Sequence, residues 1–153
     1  MADRKLYYRF VCSASLLKSV DLVAAARKAM ERSYSPYSHL RVGAALLMED
    51  GKVFTGCNVE NAAFAATICA ERTAITKAVS EGSRSIKKVV VASDAEEPLL
   101  PCGDCLQTMS EFAMDGKVQI VCVGKGGEKS VHRLGRLFPS GSKVHKTIRT
   151  VTG

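Results

Sequence analysis

Three cysteines and one glutamate are spaced in this chain as in a metal centre with a neighbouring acid. Cys69-Ala70-Glu71 is followed later in the chain by Pro101-Cys102-Gly103-Asp104-Cys105. A catalytic zinc site takes three protein ligands and leaves the fourth position to water, whereas a structural site fills all four. Three thiolates and one nearby carboxylate therefore indicate activation of a water molecule, with the carboxylate acting as general acid and base.

Both cysteine segments are predicted to open helices. Cys102 and Cys105 are separated by one helical turn, which puts both sulfurs on one face. The positive end of the helix macrodipole favours thiolate over thiol at that place. Cys69 would bring a third sulfur from a second helix. Glu71 follows it too closely to be a ligand as well, but lies near enough to move protons.

Other uses of these cysteines remain open at this point. A Cys-x-x-Cys pair also occurs in redox proteins and in structural zinc sites. Cys57, at the end of a predicted strand, could close the site as a fourth ligand. Cys12 and Cys122 lie in apolar runs and are expected to be ordinary core residues. A redox disulfide would leave Cys69 without a role.

The composition is typical of one globular domain in a reducing compartment. The chain has 153 residues, 46% hydrophobic and 24% charged, and we expect a single domain over 1–153. Its core is expected over about 13–140, with a loose tail at 147–153. Cysteines that serve as thiolate ligands must stay reduced, so we expect the protein to be cytoplasmic. The apolar stretch 16–26 contains Lys18 and Asp21, which is typical neither of a membrane span nor of a signal peptide.

The net charge of +7 raises the question of nucleic-acid binding. Much of the excess comes from basic residues near the C-terminus: Lys125, Lys129, Arg133, Arg136, Lys143, Lys146 and Arg149. Phe138 is the one aromatic ring among them, whereas proteins that bind single strands also offer stacking platforms. We therefore expect a solvated basic face or an oligomer contact, and no nucleic-acid partner.

Hydrophobic periodicity predicts the elements that must position these residues. A helix capped by Ser13 and running to about Arg32 precedes a hairpin with strands at 42–48 and 53–58. A helix over 69–82, a strand over 88–92, a helix over 102–112 and a strand over 118–123 follow. A weak strand near 131 and a short helix over 133–137 complete the order. This order predicts an α/β fold, three layers (α/β/α) around a mixed sheet of about five strands.

Several segments, in the right order, resemble the small homotetrameric cytidine deaminases. They span roughly residues 13 to 125 and are Tyr34-Ser35-Pro36-Tyr37-Ser38, Val42-Gly43-Ala44-Ala45-Leu46, Gly56-Cys57-Asn58-Val59-Glu60-Asn61-Ala62, Thr67-Ile68-Cys69-Ala70-Glu71-Arg72-Thr73-Ala74 and Pro101-Cys102-Gly103-Asp104-Cys105. The resemblance implies the cytidine deaminase-like fold, a zinc cofactor and hydrolytic deamination of cytidine and deoxycytidine. It also implies a homotetramer whose neighbouring chains complete the active sites, working in pyrimidine salvage.

The resemblance assigns the reacting groups residue by residue. Cys69, Cys102 and Cys105 would hold the zinc. Glu71 would take a proton from the activated water and relay it to N3 of the pyrimidine and then to the departing ammonia.

The resemblance also implies how the nucleoside and the metal ligands are held. Asn58 and Glu60 would grip the ribose hydroxyls, since an amide and a carboxylate together donate to and accept from a diol. Backbone groups near Ala70 and Cys102 would read the base. Arg72 would hydrogen-bond the cysteine sulfurs and offset their charge. Gln107, which follows the last ligand, is the same residue as in the family pattern.

The chain departs from the family pattern at several positions. Leu40 stands where a phenylalanine usually stacks on the base, and Ser142 stands near the place of a second aromatic residue. Leu106 occupies the position of a common arginine, and Phe64 that of a tyrosine near the neighbouring subunit. Loss of stacking would weaken base binding by about 1–3 kcal/mol per ring.

These departures leave two alternatives to deamination of a plain nucleoside. One is a deaminase of another cytosine-containing small molecule such as blasticidin S, and the other is a non-catalytic zinc protein on the same scaffold. The presence of Glu60, one half of the ribose pair, favours the nucleoside.

Overall fold

The computed structural model describes residues 21–114 and 116–139. The elements in these ranges are α1 (Leu22–Met30), β1 (Val42–Met48), β2 (Val53–Cys57), α2 (Ala70–Ser80), β3 (Ile86–Ser93), α3 (Gly103–Glu111), β4 (Gln119–Val123), β5 (Lys129–Arg133) and α4 (Leu134–Leu137). A single 3₁₀ turn, Phe64–Ala66, lies between β2 and α2. None of the helices in these ranges is long and apolar enough to span a membrane.

The strands form one five-stranded mixed sheet in the order β2-β1-β3-β4-β5. β1 is antiparallel to both β2 and β3, and β5 is antiparallel to β4. β3 and β4 are parallel, and α3 makes the crossover between them. Parallel neighbours need such a crossover, because a short turn can join only antiparallel strands.

Helices cover both faces of the sheet, which confirms the three-layer prediction. On one face Leu22 and Ala26 of α1 pack with Ala45, Val90 and Val121. On the other face α2 and α3 pack with the alternate residues of the same strands. Because successive side chains of a strand point to opposite faces, each inner strand contributes to both cores.

Two glycines let the helices lie directly against the strands. A Cβ on Gly43 would stand 2.1 Å from the carbonyl oxygen of Ala26 in α1. A Cβ on Gly56 would stand 2.5 Å from the backbone nitrogen of Ala74 and 2.6 Å from the carbonyl oxygen of Ala70 in α2. The position of α2 therefore depends on the absence of a side chain in β2.

The first helix begins later than the sequence predicts. Asp21 is its N-cap, with Oδ1 accepting from the N–H groups of Val23 at 3.0 Å and Ala24 at 3.2 Å. An aspartate that satisfies the free N–H groups of the first turn stabilises a helix start at that point. The prediction of one helix continuing from Ser13 to Arg32 is therefore wrong within the described residues. Ser13 itself lies outside them.

Several other predictions fall on residues outside the described ranges. They concern the core residue Cys12, the aromatic replacement at Ser142, the basic residues Lys143, Lys146 and Arg149, and the tail 147–153.

Candidate active site

The topology brings the candidate residues to one end of the strands, which we call the active-site edge of the sheet. β2 and β3 both run antiparallel to β1, so the carboxyl ends of β2 and β3 meet the start of β1, where Val42 pairs with Ser93. Leu40 precedes this edge and Asn58 follows it. α2 runs away from the edge before β3 returns, and α3 starts after β3 ends. Both helix N-termini therefore lie at the same edge.

The three predicted ligands are brought together by these two helices. Cys69 is the N-cap of α2, Cys102 is the N-cap of α3, and Cys105 lies in the first turn of α3. The three Sγ atoms all lie within 4.8 Å of one another, and those of Cys69 and Cys102 are 3.7 Å apart. A tetrahedral zinc with Zn–S bonds near 2.3 Å separates its sulfurs by about 3.8 Å. The donor set and its spacing therefore fit zinc.

The electrostatics of the cluster favour the thiolate form of Cys69. A hydrogen bond from the Cys105 thiol lowers the pKa of Cys69 to about 5, with Arg72 and Cys102 adding to the effect. The same hydrogen bond and burial raise the pKa of Cys105. Cys69 is therefore a thiolate at neutral pH, which is the form that binds a metal.

Arg72 lies against the cluster, whereas Gln107 does not contact its sulfurs. The Arg72 Nη2 donates to the carbonyl of Thr67 at 2.8 Å and to the sulfur of Cys69 at 3.9 Å. This cation offsets the charge of the thiolates. The exposed Gln107 donates from Nε2 to the hydroxyl of Ser110 in the next turn of α3. Its assigned role beside the ligands stays a prediction.

Leu106 has the environment of a core residue. Its side chain is buried and belongs to the cluster that α2 and α3 form with the sheet. An apolar side chain therefore fits this position, where the family pattern commonly has an arginine.

Glu71 is a carboxyl group on the buried face of a helix. It is only 4% exposed and shares the inward stripe of α2 with Ala70, Ala74, Ile75 and Ala78. Burial raises the pKa of Glu71, and the negative charge of Cys69 raises it further. A raised pKa stabilises the protonated form of the carboxyl group, which a general acid must hold between accepting and releasing a proton.

The amide of Asn58 holds the segment that leads into β1. Its Oδ1 accepts from the Ser33 hydroxyl and from the N–H of Val42, and its Nδ2 donates to the carbonyl of Leu40 at 2.9 Å. The residue is 8% exposed. An amide nitrogen carries two hydrogens, so one donor remains for a ligand.

The carboxylate of Glu60 is held by the loop before Leu40. Glu60 Oε2 accepts from the N–H groups of Tyr37 at 2.9 Å and Ser38 at 3.2 Å, and Oε1 accepts from the Ser38 hydroxyl. The Ser38 hydroxyl contributes most to lowering the pKa of Glu60, with the two N–H groups and His39 adding to it against the opposing effect of burial. Sequence reasoning missed the roles of Ser33 and Ser38, although Ser38 lies in the matched segment 34–38.

Cys57 does not join the cysteine cluster. Its thiol donates to the carbonyl of Arg32 at 3.3 Å, and the metal-ligating group found in the described residues comprises Cys69, Cys102 and Cys105. The described residues therefore do not form a zinc site with Cys57 as its fourth ligand. Cys122 is a core residue as expected, and burial raises its pKa to about 11.

Comparisons with known proteins agree with this arrangement. Residues 18–122 match the family model described as "Cytidine and deoxycytidylate deaminase zinc-binding region". A cytidine deaminase from Sporosarcina psychrophila is 46% identical over 118 residues, covering 77% of this chain and 86% of that protein. A probable cytidine deaminase from Dictyostelium discoideum is 53% identical over 109 residues, covering 71% and 70%.

A solved structure and a more distant relative are also similar to this chain. The crystal structure of cytidine deaminase from Burkholderia pseudomallei is 41% identical with a TM-score of 0.74, covering 78% of this chain and 94% of that one. A blasticidin-S deaminase from Bacillus cereus is 29% identical over 125 residues, covering 76% of this chain and 89% of that protein. The resemblance drawn from the motifs is confirmed: the chain belongs to the cytidine and deoxycytidylate deaminase family.

Proposed function

We propose that this protein deaminates cytidine and deoxycytidine by hydrolysis, giving uridine or deoxyuridine and ammonia, as a step of pyrimidine salvage. The observation that carries the proposal is the buried Glu71 on the helix whose N-cap, Cys69, meets Cys102 and Cys105. Zinc, when bound by these sulfurs, would supply the Lewis acidity that makes water a nucleophile at neutral pH.

Glu71 is the group that moves protons in this proposal. It takes a proton from the attacking water and delivers it to N3 of the pyrimidine while oxygen bonds to C4. It then takes the proton of the hydroxyl group now on C4 and carries it to the amino group, so that ammonia leaves as the C4–N bond breaks and the C4 carbonyl forms. Its burial supports this role, because a carboxyl group out of water tolerates the neutral form between the two transfers.

Four residues around the cluster bind the nucleoside. The remaining N–H of Asn58 and the carboxylate of Glu60 meet the sugar hydroxyls as donor and acceptor. Ala70 is the first residue of α2, so its N–H has no acceptor within the helix and is available to a carbonyl oxygen of the base. Leu40 contacts the base with an aliphatic side chain in place of a ring.

The protein works as a homotetramer in the cytoplasm under this proposal. Large apolar side chains are exposed near the active-site edge: Tyr34, Tyr37, Val59, Phe64 and Ile68. Isolated β-bridges of Val59 with Tyr34 and with Ile68 bring three of these residues side by side. Exposed apolar surface of this kind commonly marks a protein interface. The three thiol ligands favour a reducing compartment, since oxidation would remove them as ligands.

Incubation of the zinc-loaded protein with cytidine or deoxycytidine tests the proposed function. We expect the absorbance of the cytosine ring to fall and ammonia to appear in equal amount. Cytosine and blasticidin S serve as comparison substrates. Zinc-loaded protein that leaves both nucleosides unchanged would refute the proposal, and ammonia from blasticidin S alone would assign a different substrate.

A further inference from the structure

We propose that Ser38 is a positioning residue that fixes the sugar-binding carboxylate and the base-contacting side chain together. The inference rests on the proposed function, in which Glu60 accepts from a ribose hydroxyl and Leu40 contacts the base. The Ser38 hydroxyl donates to Glu60 Oε1 and accepts from the N–H of Leu40 at 3.1 Å. One oxygen atom therefore links the residues that meet the two halves of a nucleoside.

Ser38 determines which part of the Glu60 carboxylate remains free. A carboxylate offers about four acceptor directions. In the structure the Ser38 hydroxyl and the N–H groups of Tyr37 and Ser38 occupy three of them. These three hydrogen bonds fix the orientation of the fourth acceptor direction, which remains free for a ligand. Of the three donors, only the Ser38 hydroxyl belongs to a side chain.

The second hydrogen bond of Ser38 bridges a left-handed residue. His39 has φ 56°, a conformation that residues other than glycine seldom adopt. The N–H of Leu40 donates to the Ser38 hydroxyl across His39, a local side-chain bond that stabilises such turns. Loss of the hydroxyl would therefore free Leu40 as well as Glu60.

The loop has backbone anchors that do not involve the Ser38 side chain. The N–H of Tyr34 donates to the carbonyl of Asn58 at 3.0 Å, and the N–H of Glu60 donates to the carbonyl of Tyr34 at 2.8 Å. The N–H of His39 donates to the carbonyl of Ser35 at 3.1 Å. Because these bonds remain in a Ser38→Ala variant, we expect its fold and zinc content to be unchanged.

Steady-state kinetics of Ser38→Ala test the inference with two substrates. For cytidine we expect KM to rise about tenfold, the size expected for loss of one hydrogen bond to a charged group, with kcat little changed. For 2′,3′-dideoxycytidine, which lacks the 2′ and 3′ hydroxyl groups of the sugar, the rise in KM should be several-fold smaller. Ser38→Thr keeps the hydroxyl at an exposed position and should restore both KM values.

Two further variants show whether Ser38 acts through Glu60. In a Glu60→Gln background, adding Ser38→Ala should leave the ratio of the two KM values unchanged, because coupled residues are not additive. Ser35→Ala, in the same loop, should keep the wild-type ratio, since its side chain contacts neither Glu60 nor Leu40 in the described structure. An equal rise of KM for both substrates in Ser38→Ala, or no rise, would overturn the inference. Failure of the wild type to deaminate cytidine would instead refute the proposed function.

Discussion

Glu71 owes its chemistry to its position on α2. The other inward residues of this helix are small or apolar, and the same face starts at the cysteine that caps the helix. A carboxyl group on such a face loses hydration, which favours its neutral form. A second negative group, Cys69, acts in the same direction. The sequence carries a signal for this, because a glutamate interrupts an otherwise apolar helical stripe.

Glu71→Gln should separate metal binding from turnover. The glutamine keeps the volume of the side chain but cannot exchange a proton, so we expect the variant to bind zinc with wild-type stoichiometry. Turnover of cytidine should fall by about 10²–10⁴-fold, the usual contribution of a general acid–base. Metal analysis and ammonia release on the same sample give both quantities. Substantial activity in the glutamine variant would mean that another group moves the proton.

Local contacts could be predicted from the sequence, whereas contacts between loops could not. Cys102 and Cys105 lie within one helical turn, so their spacing alone brings the sulfurs together. Ser38 and Glu60 are 22 positions apart, and Ser33 and Asn58 are 25 apart. Such pairs depend on how two loops pass each other at the sheet edge, which no periodicity encodes.

The helix that carries Cys69 and Glu71 is seated by close packing on β2. Ala70, Ala74 and Ala78 are fully buried, and their small side chains allow the helix backbone to approach Gly56. Any displacement of this helix moves the proposed zinc ligand Cys69 and the proposed proton carrier Glu71 together.

Gly56→Ala should therefore weaken both stability and zinc binding. The new methyl group would meet backbone atoms of α2, and overpacking of this kind costs about 1–3 kcal/mol in the free energy of unfolding. Urea unfolding measures that loss, and competition with a chelator measures zinc affinity. Gly43→Ala is the matched comparison, because its methyl group meets α1, which carries no ligand. Equal zinc affinity in the two variants would show that the position of α2 does not control the cluster.

Asp50 joins the β1–β2 hairpin to the turn after α2. Its Oδ2 accepts from the hydroxyl of the buried Ser83 at 2.7 Å, and its Oδ1 accepts from the N–H of Lys52 at 3.1 Å. The Ser83 hydrogen bond is the main cause of a lowered pKa of Asp50. A carboxylate whose pKa is lower in the folded chain stabilises the fold above its unfolded pKa of about 3.9, and that contribution is lost as the pH falls through the lowered value.

Asp50→Asn should consequently lower the urea midpoint at pH 7 but not at low pH. Asparagine suits the turn equally well and keeps one acceptor oxygen, so the variant removes the negative charge and with it the ion pair between Asp50 and Lys52. We expect the difference in midpoint from wild type to stay constant down to about pH 4 and then to shrink. Adding Ser83→Ala to the variant should cost little more. A difference that is the same at pH 7 and pH 3 would contradict the assignment.

The sequence predicts the bounds of β1 correctly but places the starts of the helices less well, and each outcome has a physical reason. β1 has the predicted bounds because an apolar run is closed by a turn at Asp50-Gly51. α1 begins at Leu22 because Asp21 caps it, and an apolar stripe does not reveal such an interruption. Cys69 and Cys102 are caps where the sequence predicts helical residues, since their backbone is extended.

The described basic residues near the C-terminus lie on or beside the outer strand β5. Lys129 and Arg133 are exposed on β5, at the end of the sheet opposite β2. Charged side chains on an edge strand oppose pairing with another sheet. Lys125, beside them, pairs with Glu96 at 3.0 Å. The exposure of Lys129 and Arg133 favours a solvated basic face, and Val131 between them is exposed as well, at 58%. Three other exposed apolar side chains, Val59, Phe64 and Ile68, lie in the segment between β2 and α2.

Replacement of Phe64 should therefore disturb assembly and activity together. Its ring is 87% exposed, a large cost for an aromatic side chain unless another surface covers it. We expect Phe64→Glu to shift the proposed tetramer towards smaller species in light scattering. It should also lower the activity per chain, because in the proposed tetramer neighbouring chains complete the active sites. Met114→Glu is the matched control, since Met114 is 74% exposed but follows α3, whereas Phe64 belongs to the 3₁₀ turn before α2. A wild-type protein that is monomeric at micromolar concentration and fully active would contradict the proposed tetramer. An assembled and active Phe64→Glu protein would place the interface elsewhere.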